Sequence, residues 1–406
     1  MGQAKIKDGW LQKNLIDVCK EITDGSHFSP KSSPEYKYPY ITVRDIKDGI
    51  IDFTNCKFVN DKDYDLLLKN GCKPNKGDLL FSKDGTVGKV ALVNIEKEFV
   101  VLSSLAILRP KNDLINSELL EYILRHPDFL KTAIGKKTGV AIRRIILKNL
   151  KNIEIKFPKS LTEQKQIVAL LDQAFKAIDQ AQQNIEKNIA NAKELFQSKL
   201  NAIFSQTGEG WEEKTLGEAC IVERGSSPRP IKSFITDSDD GVNWIKIGDV
   251  GENDKYVQTT KQKITKEGAA KSRFVDIGDF ILSNSMSFGR AYIMAIQGYI
   301  HDGWFVLRIP KEINSDYFWQ LLSSPYLKNQ FNQLAAGAIV KNISGDLVKK
   351  AIVPIPPLEK QIQIFKETDI LTKEIEEVVN RYEKKLNNLE ELKKSILQKA
   401  FNGELT

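Results

Sequence analysis

The chain has 406 residues, 41% apolar and 28% charged, with a net charge of +7. This balance excludes a wholly disordered chain and a membrane protein, and it predicts two to four domains with sizeable cores. Four cysteines without CxxC spacing (Cys19, Cys56, Cys72, Cys220) and three dispersed histidines (His27, His126, His301) exclude a zinc ribbon, a disulfide framework and a histidine-based triad.

In chain order, residues 1–8 carry Lys5, Lys7 and Asp8 and lack an apolar signal core. No later run approaches 18 uninterrupted apolar residues, so a cytoplasmic protein without membrane contact is expected. A mixed segment, 1–158, holds short β-rich runs such as residues 38–43. Phe157-Pro158 closes it, because proline blocks the preceding residue from helix. Ser160-Leu161-Thr162-Glu163 then reads as a capping box opening a helix that runs to about Phe204. A second mixed segment, 207–357, holds the β-rich run 242–247 and ends at Pro354-Ile355-Pro356-Pro357. A second helix follows to Phe401. The predicted boundaries are therefore 1–158, 159–206, 207–357 and 358–406.

These halves repeat one another. Gly9-Trp10 recurs as Gly210-Trp211, Gly77-Asp78 as Gly278-Asp279, and Ser82 and Gly88 as Ser283 and Gly289, all at an offset of about 201. Along the helices the offset is about 197: Leu161, Gln164, Ile167, Ile178 and Phe204 match Leu358, Gln361, Ile364, Ile375 and Phe401. The period is too long for a solenoid and suits a whole domain plus a helix.

Each helix of roughly 42 residues would reach about 60 Å. Apolar residues follow a heptad in both. The seam reads Ile167, Leu171, Ile178, Ile185 and Leu195 in the first helix, with Asn188 as a polar interruption. It reads Leu371, Ile375, Tyr382, Leu389 and Ile396 in the second, with Lys385 at the matching place. Alanines in the first against large side chains in the second favour pairing of the two helices. Two separate helices, each lying on its own domain, form the alternative.

Apparent catalytic motifs fail on spacing. Gly85-Thr86-Val87-Gly88-Lys89 is two residues short of a phosphate loop and lacks the Ser or Thr after the lysine. Pro127-Asp128 with Glu163-Gln164-Lys165 imitates a magnesium-nuclease set, but Glu163 stands at the capping position and the second half lacks the pattern.

The segments 155–167 and 352–364 resemble the P-P-L-x-E-Q-x-x-I signature of the specificity subunits of Type I restriction–modification systems (HsdS), the second with Lys360-Gln361 in place of Glu-Gln. The ending, residues 395–406, is similar to that family's C-terminal conserved region. The loops 22–27 and 225–230 resemble loops early in its recognition domains. The resemblance spans the chain. It implies an α+β multidomain fold: two α/β target-recognition domains alternating with two long helices paired as an antiparallel coiled coil, with an internal pseudo-twofold. It implies a non-catalytic subunit whose domains each read half of a split double-stranded DNA target. Two modification (methyltransferase) subunits are the implied partners, and two restriction (translocase/nuclease) subunits are further partners it allows. S-adenosylmethionine, ATP and magnesium would then sit on those partners, with no cofactor or metal in this chain. A stand-alone enzyme with an unfamiliar site and a protein-only scaffold stand as rivals.

DNA contacts are expected from two matched Gly-punctuated loops, 82–89 and 283–290, which offer Lys83 and Lys89 in one and Asn284 and Arg290 in the other. Further candidates are the basic cluster Lys136, Lys137, Arg143 and Arg144, its counterpart Lys341, and Arg224 and Arg229 beside the early loop of the second domain. Residues 1–158 hold 27 basic against 20 acidic side chains while 207–357 balance at 18 each, so the positive excess lies in the first domain.

Overall fold

The computed structural model describes residues 7–47, 49–135, 144–252, 254–284, 289–335 and 343–405. They form two compact units, one of residues up to 185 with those from 384 on, the other of residues 186–383. Each unit holds one mixed domain and a part of each long helix. The fold is α+β.

In the first unit, strand Trp10–Asn14 pairs antiparallel with Glu154–Pro158, the strand that feeds the first long helix. The main sheet is antiparallel, in the order Cys19–Asp24, Leu105–Pro110, Leu79–Ser82, Val90–Leu92. Leu105–Leu108, Leu79–Phe81 and Val90–Leu92 read as unbroken apolar runs because both faces of these strands are covered, whereas the edge strand Cys19–Asp24 exposes Lys20 and Glu21. Leu79, Phe81, Ala106 and Leu108 enter one core, and Leu80, Ala91, Leu105 and Ile107 enter another.

The second unit repeats this plan. Glu212–Thr215 pairs with Ile352–Ile355, and the main sheet runs Ile221–Arg224, Trp304–Arg308, Phe280–Ser283, Ala291–Met294, with Tyr256–Val257 added in parallel. Phe280, Leu282, Phe305 and Leu307 face one core; Ile281, Tyr292, Trp304 and Val306 face the other.

The repeated Gly-Asp pair has a common structural cause. Gly77 and Gly278 turn at φ +91° and +89°, which favours glycine. The following aspartate then meets an arginine from the centre of the sheet. Arg109 donates Nε to Asp78 at 3.2 Å, pairs with Glu21 and reaches the Lys73 carbonyl. Arg308 does the same with Asp279 at 3.1 Å, Glu223 and the Phe274 carbonyl.

The halves diverge in their second sheets. The first unit has three strands, Lys57–Val59, Tyr38–Ile41 and Val100–Val101; the second has five, in the order Ile235–Thr236, Gln262–Ile264, Val242–Ile245, Gly298–Ile300, Arg273–Val275.

The long helices, Leu161–Phe204 and Leu358–Phe401, have 44 residues each. The Ser160 hydroxyl accepts the Glu163 N–H at 3.4 Å, and the Glu163 carboxylate also takes the indole N–H of Trp10 at 3.3 Å. The helices pack together inside the units. In the first, Ile167, Val168 and Leu171 share a core with Leu397 and Ala400. There Asp179 meets Lys393 at 2.6 Å and Gln182 bonds Glu390, so the partner number falls as the first rises and the pair is antiparallel. In the second, Phe204 shares a core with Ile364.

The heptad needs correction in its middle. Ile167, Leu171 and Ile178 are buried, and Ile185, Leu371, Ile375, Tyr382, Leu389 and Ile396 are half-buried. Leu195, however, is 60% exposed. Asn188 and Lys385 are exposed too, and the half-buried positions fall one residue later, at Ile189, Phe196 and Leu386. From Ile178 to Ile189, and from Ile375 to Leu386, the seam advances by 11 residues. That is the step a helix of 3.6 residues per turn takes when a strict heptad would drift off the face.

Candidate nucleic-acid interface

In each unit three loops meet at one end of the main sheet: the early loop, the loop between its two hairpin strands, and the turn before the central strand. Glycine permits the contact. A Cβ on Gly25 would lie 2.2 Å from the Val101 carbonyl oxygen, and one on Gly225 would lie 2.1 Å from that of His301. The backbone seals the junction similarly in both. Ser26 donates to Val101 and Gly25 to Leu105; Ser226 donates to Ile300 and Gly225 to Trp304.

In the first unit the junction centres on Asp24. Its carboxylate holds the Lys83 ammonium at 3.2 Å and the His27 imidazole at 3.2 Å. Lys83 also pairs with Asp84 at 3.6 Å. The Lys83 side chain is only 7% exposed, so it is enclosed between two carboxylates rather than presented to a phosphate. Lys89 is likewise engaged inward: its ammonium donates to the Val43 and Ile46 carbonyls at 3.2 and 2.8 Å. Arg144 is exposed and its backbone bridges to Asp84. Lys136, Lys137, Arg143 and Lys341 lie outside the described residues.

In the second unit Asp302 is the hub. Its carboxylate accepts the Ser227 hydroxyl at 2.7 Å and the Arg229 guanidinium at 3.2 Å. Its carbonyl accepts Asn284 Nδ2 at 2.7 Å and Arg224 Nε at 3.3 Å. Burial pushes the Asp302 carboxyl up, but the Ser227 hydroxyl, its own backbone, His301 and Arg229 outweigh it and hold it below its ordinary value. Asn284 is buried, like Lys83 at the same hairpin place. Arg224 is exposed, and Arg229 is 74% exposed despite its carboxylate partner. Arg290 pairs with Glu252. The sequence candidates thus separate. Arg144, Arg224 and Arg229 stand at the loop junctions, exposed. Lys83 and Asn284 build those junctions from inside.

Sequence reasoning missed His27, whose side chain is 76% exposed, and the hubs Asp24 and Asp302. The loop 22–27 stands out in the sequence as a whole, and the flanking glycines mark its turn, but neither signal picks out these side chains. It also missed an open cleft of about 470 Å³ in the first unit, lined by Lys47, Lys89, Arg125 and Gly88. Among the described residues no group of His, Cys, Asp and Glu is placed to hold a metal, and no helix is long and apolar enough to cross a membrane.

A family model described as the Type I restriction modification DNA specificity domain matches residues 7–190 and again 208–388. The chain belongs to the Type I restriction–modification specificity-subunit family. Among its relatives, the EcoKI specificity subunit of Escherichia coli K12 is 24% identical, aligned over 100% of this chain and 91% of its own. The MjaVIII specificity subunit of Methanocaldococcus jannaschii is 24% identical over 91% and 86%. The fold matches the HsdS subunit of Thermoanaerobacter tengcongensis with a TM-score of 0.60 at 19% identity, over 100% of this chain and 99% of the other. It matches a chain from a study of type I restriction–modification assembly and conformational transition with a TM-score of 0.76 at 18% identity, over 99% and 100%. Both family matches begin at the Gly-Trp repeat and run into a long helix, so the family module coincides with the internal duplication.

Proposed function

We propose that this specificity subunit is non-catalytic and reads a split, asymmetric double-stranded DNA target, one half through each recognition domain. The observation that carries this reading is the duplicated loop junction. The same sheet end is built twice, with the same glycine contacts, yet with different side chains on it: His27, Asp24 and Arg144 in one, Arg224, Arg229 and Asp302 in the other. A shared scaffold bearing different donors and acceptors is what two unlike half-sites require. The long helices set the spacing between halves and dock two modification subunits. S-adenosylmethionine, ATP and magnesium then belong to the partner subunits, with adenine N6 as the methylated atom, and two restriction subunits complete the assembly in the cytoplasm.

Methylation mapping tests this. The chain is expressed with its modification subunit in a host lacking adenine methylation, and N6-methyladenine is located across the genome. One bipartite motif with a fixed gap is expected. A stable complex that methylates nothing would refute the reading and favour a scaffold role.

A further inference from the structure

Each long helix begins with a glutamine shut away from water. Gln164 is 0% exposed and Gln361 is 1% exposed. Their amides make the same three bonds. Gln164 Oε1 accepts the Asn116 N–H at 2.7 Å, and its Nε2 donates to the Leu114 and Pro158 carbonyls at 3.0 and 2.8 Å. Gln361 Oε1 accepts the Asn314 N–H at 2.7 Å, and its Nε2 donates to the Glu312 and Pro356 carbonyls at 3.2 and 2.8 Å.

Those partners belong to different parts of the domain. Asn116 and Asn314 are the caps of the helices Ser117–Arg125 and Ser315–Ser323, which pack on the main sheet. Pro158 ends the strand entering the first long helix, and Pro356 follows the strand entering the second. One amide therefore ties the long helix to a domain helix and to the entering strand.

An apolar side chain would fill the same space. It would let the helix roll or slide over its neighbours, because apolar contact is non-directional. Hydrogen bonds weaken steeply when misaligned, so three of them at one buried group fix a direction. Only an amide supplies one acceptor and two donors there.

We infer that Gln164 and Gln361 are positioning residues for target spacing: each fixes the angle at which its recognition domain leaves the helix, and so the gap between half-sites. This rests on the proposed reading of a split target. One base pair is a displacement of about 3.4 Å along DNA, so a small rotation at the helix start suffices to change the gap.

The test uses the full chain with its modification subunit and the same mapping. Gln361→Glu loses the two donated bonds; Gln361→Met keeps the volume and loses all three. Gln164→Glu and Gln164→Met repeat the comparison in the first unit, and Gln166→Ala, on the exposed face of that helix, is the control. Both half-motifs should persist unchanged. Methylation at gaps one base pair longer or shorter, relative to the native gap, should rise about tenfold or more, the scale of two or three lost hydrogen bonds. The control should keep the native gap alone. A native gap alone in whichever variant assembles, or loss of assembly in both Glu and Met variants, overturns the inference. A wild-type chain giving no split motif would instead sink the proposed function itself.

Discussion

At the scale of single residues, the aligned pair Lys83 and Asn284 separates building from reading. Lys83 balances Asp24 and Asp84 inside the junction, and removing it leaves two carboxylates without their cation. Lys83→Ala should therefore cost about 3 kcal/mol of stability while leaving the salt dependence of DNA binding unchanged. Arg144→Ala should do the opposite. Stability should stay within about 0.5 kcal/mol, and the slope of log affinity against log salt should fall by about 1. Urea unfolding and binding titrations over a salt series check both; a lower slope for Lys83→Ala would restore it as a phosphate contact. Burial also lowers the His126 and His301 imidazoles below their ordinary value, against Asp128 and Asp302 pulling the other way. As pH falls through the unfolded value of about 6.5, the unfolded chain binds protons that the folded chain resists, so folding weakens. Stability from these histidines is full above about pH 7 and declines towards pH 5. His126 Nε2 is buried without a partner among the described residues, and its ring stands edge-on to Phe401 at 5.5 Å. His126→Leu should flatten the loss of melting temperature between pH 7 and 5, and an unchanged profile would show that other groups control it.

At the scale of elements, helix existence was legible and helix register was only half so. Proline boundaries, the capping signal and the matched apolar positions marked both helices, because 44 uninterrupted residues leave a strong periodic pattern. A heptad template follows apolar residues only while the helix stays on one face, and both helices change step after Ile178 and Ile375. Asn188 and Lys385 thus read as polar seam residues when they are exposed ones. Replacing them should barely matter: Asn188→Ala and Lys385→Ala should stay within about 0.5 kcal/mol. Ile189→Ala and Leu386→Ala remove half-buried seam side chains and should each cost about 1–2 kcal/mol, read by thermal unfolding of the full chain. The reverse ranking would reinstate the strict heptad. The loop junctions were less legible because their determinants lie far apart in sequence. Gly25 is recognisable as turn-prone, but only the fold brings it against Val101, and nothing local to Lys83 indicates that Asp24 will enclose it.

At the scale of the whole molecule, the charge is unevenly divided between domains that share one plan. Lys136, Lys137, Arg143, Arg144, Lys148 and Lys151 fall between residues 136 and 151 without an acidic residue among them. The corresponding stretch of the second domain carries Lys341, Lys349 and Lys350 with Asp346. Both domains pair some of their cations with carboxylates, Lys47 with Asp52 and Lys76 with Glu96 in the first, but in the second the candidate DNA contacts Arg229 and Arg290 are themselves among the paired ones, with Asp302 and Glu252. A cation already balanced by a carboxylate gains less from a phosphate, whereas an unbalanced one releases a counterion when it binds. The first domain should therefore supply most of the sequence-independent grip, leaving the second to contribute base discrimination. Replacing Arg144 and Lys148 together by glutamine should lower the salt slope of the assembled complex by about 2. The same change at Arg224 and Arg229 should lower it by about 1 or less, while relaxing base preference in one half-site. Equal slopes for the two pairs would mean that the domains share the electrostatic work, and that the basic stretch near residue 140 serves a surface other than DNA.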